Sequence, residues 1–264
     1  MYLSWSIKIK LKLKRALLII ACILVVAMSS CKDALRVSSS AYDRIAVDAA
    51  AEADPDIEEF IAPYRNRIKA EMDKNLSYNL HPMFKTDSPY NTAIGNMMAD
   101  AVLELAAPIF ESRYNKQIDA VLLNYGGIRA GIGKGPVTTR TAYQIMPFEN
   151  MVVVAELDGK QVKEMIAYLS QSNKAHPIAN MKLRFDDKAE VLDQYINGNA
   201  FDENQTYHVA TSNYLVEGGD NMLFFLKANR VYDIDYKLRN LFIDYFVQQD
   251  TINYTSDDRL TKLK

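Results

Sequence analysis

The chain has 264 residues, with 31 Lys and Arg against 33 Asp and Glu, a length that allows one large domain or two small ones. The acidic balance, which deepens once the N-terminal segment described below is removed, argues against a nucleic-acid binder driven by phosphate neutralisation. Two cysteines, one of them in a segment expected to be removed, exclude an intrachain disulfide, so stability must come from a buried core.

At the N-terminus Lys8, Lys10, Lys12, Lys14 and Arg15 precede an apolar run from Ala16 to Met28. Such a run makes about 20 Å of helix, short of the roughly 30 Å of a bilayer core. A basic end, a short apolar middle and small residues at the exit describe a secretory signal over residues 1–30. The exit reads Met28-Ser29-Ser30-Cys31 and resembles a bacterial lipobox, although Met28 stands where Leu or Val is more usual. Cys31 is then the lipidated first residue of an exported protein, anchored to a bacterial membrane and facing the periplasm or the surface. An uncleaved anchor helix is the alternative, but no stop-transfer flank follows. Cleavage removes five basic residues and no acidic ones, leaving 26 Lys and Arg against 33 Asp and Glu, a net charge of −7.

Residues 31–53, rich in Ser, Ala and Asp, read as a tether, and residues 54–264 as one domain. Asp54 before Pro55 is a helix N-cap signal. Ile57, Phe60, Ile61, Tyr64, Ile68 and Met72 follow at helical steps, with Pro63 expected to kink or split the helix. "NLSYNLHPMF" reads as a strand. "IGNMMADAVLELAAPIFESRY" reads as an apolar helix interrupted at Pro108, and "IDAVLLN" as a buried strand. "MVVVAEL", Asp158-Gly159 and "KQVKEMIAYLSQ" give strand, turn and helix. "MKLRFDD", "AEVLDQYI" and "TYHVATSNYL" alternate as half-exposed strands. "DYKLRNLFIDYFVQQ" closes the chain as a helix with Leu238, Leu241, Phe242, Tyr245 and Phe246 on one side. The expected fold class is α/β, mixed α+β, with mixed sheets packed against helices in a single domain.

Three isolated histidines, His81, His176 and His208, offer no pairing at metal-ligand spacing, and there is no Gly-x-Ser-x-Gly elbow. No catalytic residue, metal ligand or cofactor is therefore assigned to this chain. The glycine-rich stretch "LLNYGGIRAGIGKG" is not a Walker loop, because Ile128 occupies the first glycine position and Gly135 the hydroxyl position. Nor is it a dinucleotide fingerprint, since Gly131, Gly133 and Gly135 recur at every second residue.

Three stretches, each after an apolar strand-like run, carry groups that suit a nucleoside: "NYGGIR", "MPFEN" and "TSNYLVEGGDNM". Gly126 and Gly127 allow close approach, and Arg129 offers a planar fork for phosphate or sugar oxygens. Phe148 and Tyr214 offer two ring faces for a base. Asn150 suits a base edge, and Asp220 suits two ribose hydroxyls. Taken singly, Phe148 also reads as core packing, Gly218-Gly219-Asp220 as a turn, and Arg129 as a surface ion pair.

Their joint order resembles the C-terminal, substrate-binding domain of the 5'-nucleotidase family over roughly Thr86 to Leu226. "IGNMMADAV" is similar to the family's Gly-Asn-Leu-x-x-Asp-Ala helix. The block from "LNYGGIR" through "MPFEN" and the "NYLVEGGDNM" loop resemble the family's other two motifs. The resemblance implies that Arg129, with Asn124 beside it, binds the phosphate or ribose, while Phe148 and Tyr214 sandwich the base. It further implies that Asn150 contacts the base, Asp220 holds the ribose hydroxyls, and Gly126, Gly127, Gly218 and Gly219 shape the loops. Tyr125 stands where the family has the first of three glycines, implying a narrower loop. Asn91 replaces an acidic residue, and an upstream arginine has no match near Tyr90. The family's metallophosphatase domain, which holds the divalent metals, has no counterpart in these residues. "IAPYRNRIKAEMD" resembles the lead-in of Bacteroidetes-type lipoproteins encoded apart from that half. The implied function is nucleotide binding for a separately encoded metallophosphatase in nucleotide catabolism. The alternative is a stand-alone nucleoside-binding or scavenging lipoprotein without catalysis.

Overall fold

A computed structural model describes residues 3–28, 39–46 and 52–263. Cys31 and its small neighbours Ser29 and Ser30 lie outside the described residues. The chain divides into two units, Met1–Asp54 and Pro55–Lys264. In the first, helix α1 spans Leu3–Met28, and residues 39–46 of the tether have no regular structure.

The second unit opens with helix α2 (Pro55–Met72), strand β1 (Asn75–Asn79) and helix α3 (Ala93–Tyr114). Strand β2 (Ala120–Leu122), strand β3 (Gly135–Thr138) and helix α4 (Thr139–Ile145) follow. Next come β4 (Met151–Asp158), α5 (Gly159–Gln171), β5 (Ile178–Ala179), β6 (Met181–Phe185), β7 (Val191–Ile196) and β8 (Asn199–Ala200). The chain ends through β9 (Thr206–Ser212), the single turn α6 (Asn213–Val216), β10 (Arg230–Lys237), α7 (Leu238–Gln248), β11 (Thr251–Ile252) and β12 (Leu260–Lys262).

A five-stranded sheet in the order β10-β4-β9-β2-β5 forms the centre. Its β2 and β9 run parallel, whereas β4 is antiparallel to both β9 and β10. A three-stranded sheet, β11-β1-β3, and a four-stranded sheet, β12-β6-β7-β8, complete the fold. The central sheet is covered on both faces, which explains why its strands read as unbroken apolar runs. Val121, Val152, Val154 and Ala210 join a core with α3, α4 and α7. Their alternating neighbours Ala120, Leu122, Ala155, Leu157 and Val209 join a second core with α5. Asp158 caps α5 by accepting from the Lys160 and Gln161 N–H groups, and Gln161 returns a bond to the Asp158 N–H, so strand passes to helix without a loop.

Three expectations need correction. Neither Pro63 nor Pro108 breaks its helix. Both prolines are exposed, so a carbonyl that loses its N–H partner is left to water. Helix α2 does not bury its apolar face: Ile57, Phe60, Tyr64 and Ile68 are all exposed, and Phe60 and Tyr64 pack on each other instead. In the last stretch only Leu238 onward is helical, because Arg230–Lys237 pairs with β4 as a strand; the five apolar residues assigned to that helix face are all buried.

Phe110 of α3 is fully buried, with its ring 5.4 Å from Tyr114, 5.5 Å from His208 and 5.3 Å from Tyr232. It fastens α3 to the face of the central sheet. Phe110→Ala is expected to lower the unfolding free energy by about 3–5 kcal/mol, read as a shift of the urea midpoint at unchanged slope.

Candidate functional site

The strand directions place three loops together. Because β2 and β9 are parallel and β4 antiparallel, the ends of β2 and β9 and the start of β4 lie at one edge of the central sheet, with Val152 opposite Ser212. From that edge emerge residues 124–129 after β2, 146–150 before β4 and 213–222 after β9. Crevices beyond the carboxyl ends of strands are where open α/β sheets hold ligands. Two side-chain bonds fix the junction. The Thr211 hydroxyl donates to the Leu122 carbonyl at 2.7 Å, and the Met151 N–H donates to Asn213 Oδ1 at 2.9 Å.

A cavity of about 260 Å³ opens between these loops, lined by Asn124, Gly126, Gly127, Arg129, Phe148, Asn150, Tyr214 and Asp220. Thus eight of the ten residues singled out as a binding set line one cavity, although nearly 100 positions separate the first from the last. Gly218 and Gly219 do not line it; they act beneath it. Phe148 is 40% and Tyr214 is 42% exposed, so neither ring is spent on the core.

Asp220 is held from several directions. Its Oδ2 accepts from Asn124 Nδ2 at 2.8 Å, and its Oδ1 accepts from the Tyr214 hydroxyl at 3.1 Å. Tyr168 on α5 donates to the Asp220 carbonyl at 3.0 Å. The residue adopts a left-handed backbone (φ 52°, ψ 25°) directly after Gly218 at φ 88° and Gly219. Gly219 cannot carry a side chain, since a Cβ there would lie 2.4 Å from the Tyr214 ring. A carboxylate has about four acceptor positions, so with two occupied the Asp220 oxygens can still accept a pair of hydroxyls.

The other glycines act differently from expectation. A Cβ at Gly127 would lie 2.8 Å from Asn124 Oδ1, and one at Gly126 would lie 3.1 Å from Asp220 Oδ2. They give room first to the polar groups that frame the cavity. Tyr125 does not narrow it, because its ring lines a neighbouring cleft and packs under Lys85.

Arg129 enters through its N–H bond to the Ile145 carbonyl at 3.0 Å. Its guanidinium lies 5.7 Å from the Phe148 ring centroid, and among the described residues it has no carboxylate partner. The Phe148 loop is braced from below by Arg239, a buried residue that carried no signal in the sequence. Arg239 donates to the Phe148 carbonyl at 3.3 Å, pairs with Glu149 and stacks on Tyr143 at 4.1 Å. Lys237 also pairs with Glu149 at 2.6 Å, and the two cations draw that carboxyl down to about 2. The Asn150 carbonyl accepts from Leu238 N–H at 2.8 Å, leaving the Asn150 side chain for the cavity. Among the described residues, no three His, Cys, Asp or Glu side chains converge to hold a metal ion.

The profile of the family described as "5'-nucleotidase, C-terminal domain" matches residues 77–227. The chain belongs to that family. Its curated relatives include the trifunctional nucleotide phosphoesterase protein YfkN of Bacillus subtilis (strain 168), 28% identical over 78% of this chain and 15% of the relative. Protein UshA of Yersinia enterocolitica is 26% identical over 63% of this chain and 30% of the relative. The chain therefore spans less than a third of these relatives. The 5'-nucleotidase precursor from Thermus thermophilus superposes with a TM-score of 0.65 at 22% identity, over 81% of this chain and 44% of that one. That likeness establishes the fold of the 5'-nucleotidase C-terminal domain.

His176 stands behind the Asn124–Gly127 turn. Its Nδ1 accepts the Tyr125 N–H at 3.3 Å, which places the ring proton on Nε2, 3.1 Å from Ser172 Oγ. Burial pushes its pKa from 6.5 down to about 4, against an opposing pull from Asp220. Below pH 6.5 the unfolded chain takes up a proton that the folded chain refuses, so stability falls as pH drops toward 4. Wild type is expected to lose about 3 kcal/mol through this residue across that window. The measurement is unfolding free energy against pH for wild type and His176→Gln, and parallel curves would refute the assignment.

Proposed function

We propose that this domain binds a nucleoside or nucleotide, with the base between Phe148 and Tyr214 and the ribose hydroxyls on Asp220. The observation that carries the reading is the pair of exposed rings on one cavity that also presents a carboxylate with free acceptor positions. The cavity is slightly smaller than the ~300–1,000 Å³ of typical small-molecule sites, which suits a base and sugar with the phosphate directed outward. Arg129, without a carboxylate partner among the described residues, supplies a cation at the cavity for that phosphate, and Asn150 a hydrogen-bonding edge for the base. Gly126, Gly127, Gly218 and Gly219 keep the frame open.

Hydrolysis of the phosphate ester is assigned to a metallophosphatase partner that carries the divalent metals, in nucleotide catabolism. The relatives' names, a nucleotide phosphoesterase and a 5'-nucleotidase precursor, support phosphate-ester hydrolysis as the reaction that the domain serves. Export is supported by the basic and apolar N-terminus and by a relative named as a cell wall protein, from Listeria monocytogenes. Lipid attachment at Cys31 is the anchoring step proposed with it, and palmitate labelling abolished in Cys31→Ser is its test.

Titration calorimetry with adenosine, AMP and a UDP-sugar tests the binding step. Phe148→Ala is expected to weaken adenosine binding by about 1–3 kcal/mol. Asp220→Ala is expected to bind adenosine and 2'-deoxyadenosine equally, losing about 1.5–3 kcal/mol with the former. Unchanged affinities in both variants, or no heat in wild type, would refute the site. Nucleotide hydrolysis that requires both this chain and a metallophosphatase would separate partnership from scavenging.

A further inference from the structure

Tyr125, from the turn whose glycines line the base cavity, borders a cleft of about 380 Å³, whose lining also includes Lys85, Thr86, Ser88, Asn173 and Lys174. Lys85 is fixed there. Its Nζ donates to the Ile128 carbonyl at 2.8 Å and lies 4.5 Å from the centroid of the Tyr125 ring. Arg129, the next residue along, lies on the base cavity. Residues 125–129 thus border both cavities, Tyr125 on the cleft and Gly126, Gly127 and Arg129 on the base cavity, and Lys85 feels the charge of Arg129.

The charge here is unbalanced. Lys163, Lys182, Lys227 and Lys237 each pair with a carboxylate within 2.7 Å. Lys85, Arg129 and Lys174 have no carboxylate partner among the described residues. Asp87, near in sequence, is engaged by the Phe84 N–H at 2.8 Å. Partial burial, then repulsion from Arg129 and Lys174, draws the Lys85 ammonium below its ordinary range, as expected for cations gathered without a counter-ion. Hydroxyls of Thr86 and Ser88 and the amide of Asn173 add donors at the same cleft. Three cations with neutral donors match a group that carries several charges and many acceptor oxygens.

We propose that the Lys85–Lys174 cleft is an anion subsite for a second phosphoryl group, so that the domain prefers nucleoside diphosphates to monophosphates. The proposal rests on the nucleoside reading of the base cavity: Arg129 meets the phosphoryl group next to the sugar, and Lys85 and Lys174 meet the one beyond it. The tyrosine at position 125 serves this arrangement by holding the Lys85 ammonium over its ring.

Titration calorimetry of the full chain with adenosine, AMP, ADP and inorganic pyrophosphate tests it. Wild type is expected to bind ADP about five- to tenfold more tightly than AMP at low salt, the size of one added close charge contact. Lys174 is exposed and its ammonium makes no hydrogen bond among the described residues, so Lys174→Ala should fold normally. It should erase most of the ADP preference and leave adenosine affinity unchanged; Lys85→Gln should act in the same direction. Equal affinity of wild type for AMP and ADP would overturn the subsite, as would an equal loss for adenosine and ADP in Lys174→Ala. No heat with adenosine would instead overturn the nucleoside reading, and the diphosphate assignment with it. In that event, pyrophosphate bound by wild type and not by Lys174→Ala would show that the cleft takes a free diphosphate.

Discussion

The candidate site depends on where the Asp220 carboxylate is held. A carboxylate at a loop tip would ordinarily rotate and be solvated on both oxygens. Here Asn124 fixes one oxygen and Tyr214 the other, while Tyr168 secures the backbone carbonyl. These partners come from three different segments, so Asp220 joins the loop after β2 and the turn after β9 through its carboxylate, and helix α5 through its carbonyl. Each oxygen keeps an acceptor position, and Asp220 lines the cavity that also carries the two rings. The left-handed backbone at Asp220 and the glycine before it follow from the same requirement, since the loop must double back to bring the acid under the Tyr214 hydroxyl.

The sheet supplies the rest of the precision. A parallel β2–β9 pair beside an antiparallel β4 brings three loop ends to one edge, and cores on both faces prevent that edge from shifting. Each loop then has its own brace. His176 holds the turn at Tyr125, Arg239 holds the Phe148 carbonyl, and Asn213 ties the start of β4 to the turn after β9. A rigid frame of this kind lowers the ordering cost of binding, the main reason that preformed sites bind more tightly than mobile ones of equal area.

Much of this was legible in the sequence, for physical reasons that can be named. Strands buried on both faces read as short apolar runs, so "AVLL" and "MVVVAEL" announced themselves, and Asp158-Gly159 marked the passage from strand to helix, although as a cap and not as the turn expected. The cavity-lining set was legible through the order of its motifs, not through spacing, since Asn124 and Asp220 meet only by way of strand pairing. The braces were not legible. Tyr168, His176 and Arg239 are single residues whose roles are set by what packs against them, and each looks like an ordinary helix or loop residue. Periodicity also misled at α2, where Ile57, Phe60, Tyr64 and Ile68 stand at helical steps yet stay exposed among the described residues. The prolines misled because exposure, which the sequence does not display, decides whether a missing N–H is costly.

Tyr125 shows how one position can alter a site without entering it. Beside a ligand cavity, a large ring in place of a glycine would be expected to obstruct. The backbone at 125–127 forms a tight turn that sends the ring to the neighbouring cleft, while Gly126 and Gly127 keep the cavity side clear. The ring then becomes a platform for the Lys85 ammonium, which partial burial and two neighbouring cations draw below its ordinary range. Lys85 is thus held by an aromatic ring and by the Ile128 carbonyl before any anion arrives. A preassembled positive cleft favours ligands that bring charge over those that bring only a base, because the repulsion among the cations is relieved in proportion to the charge that binds.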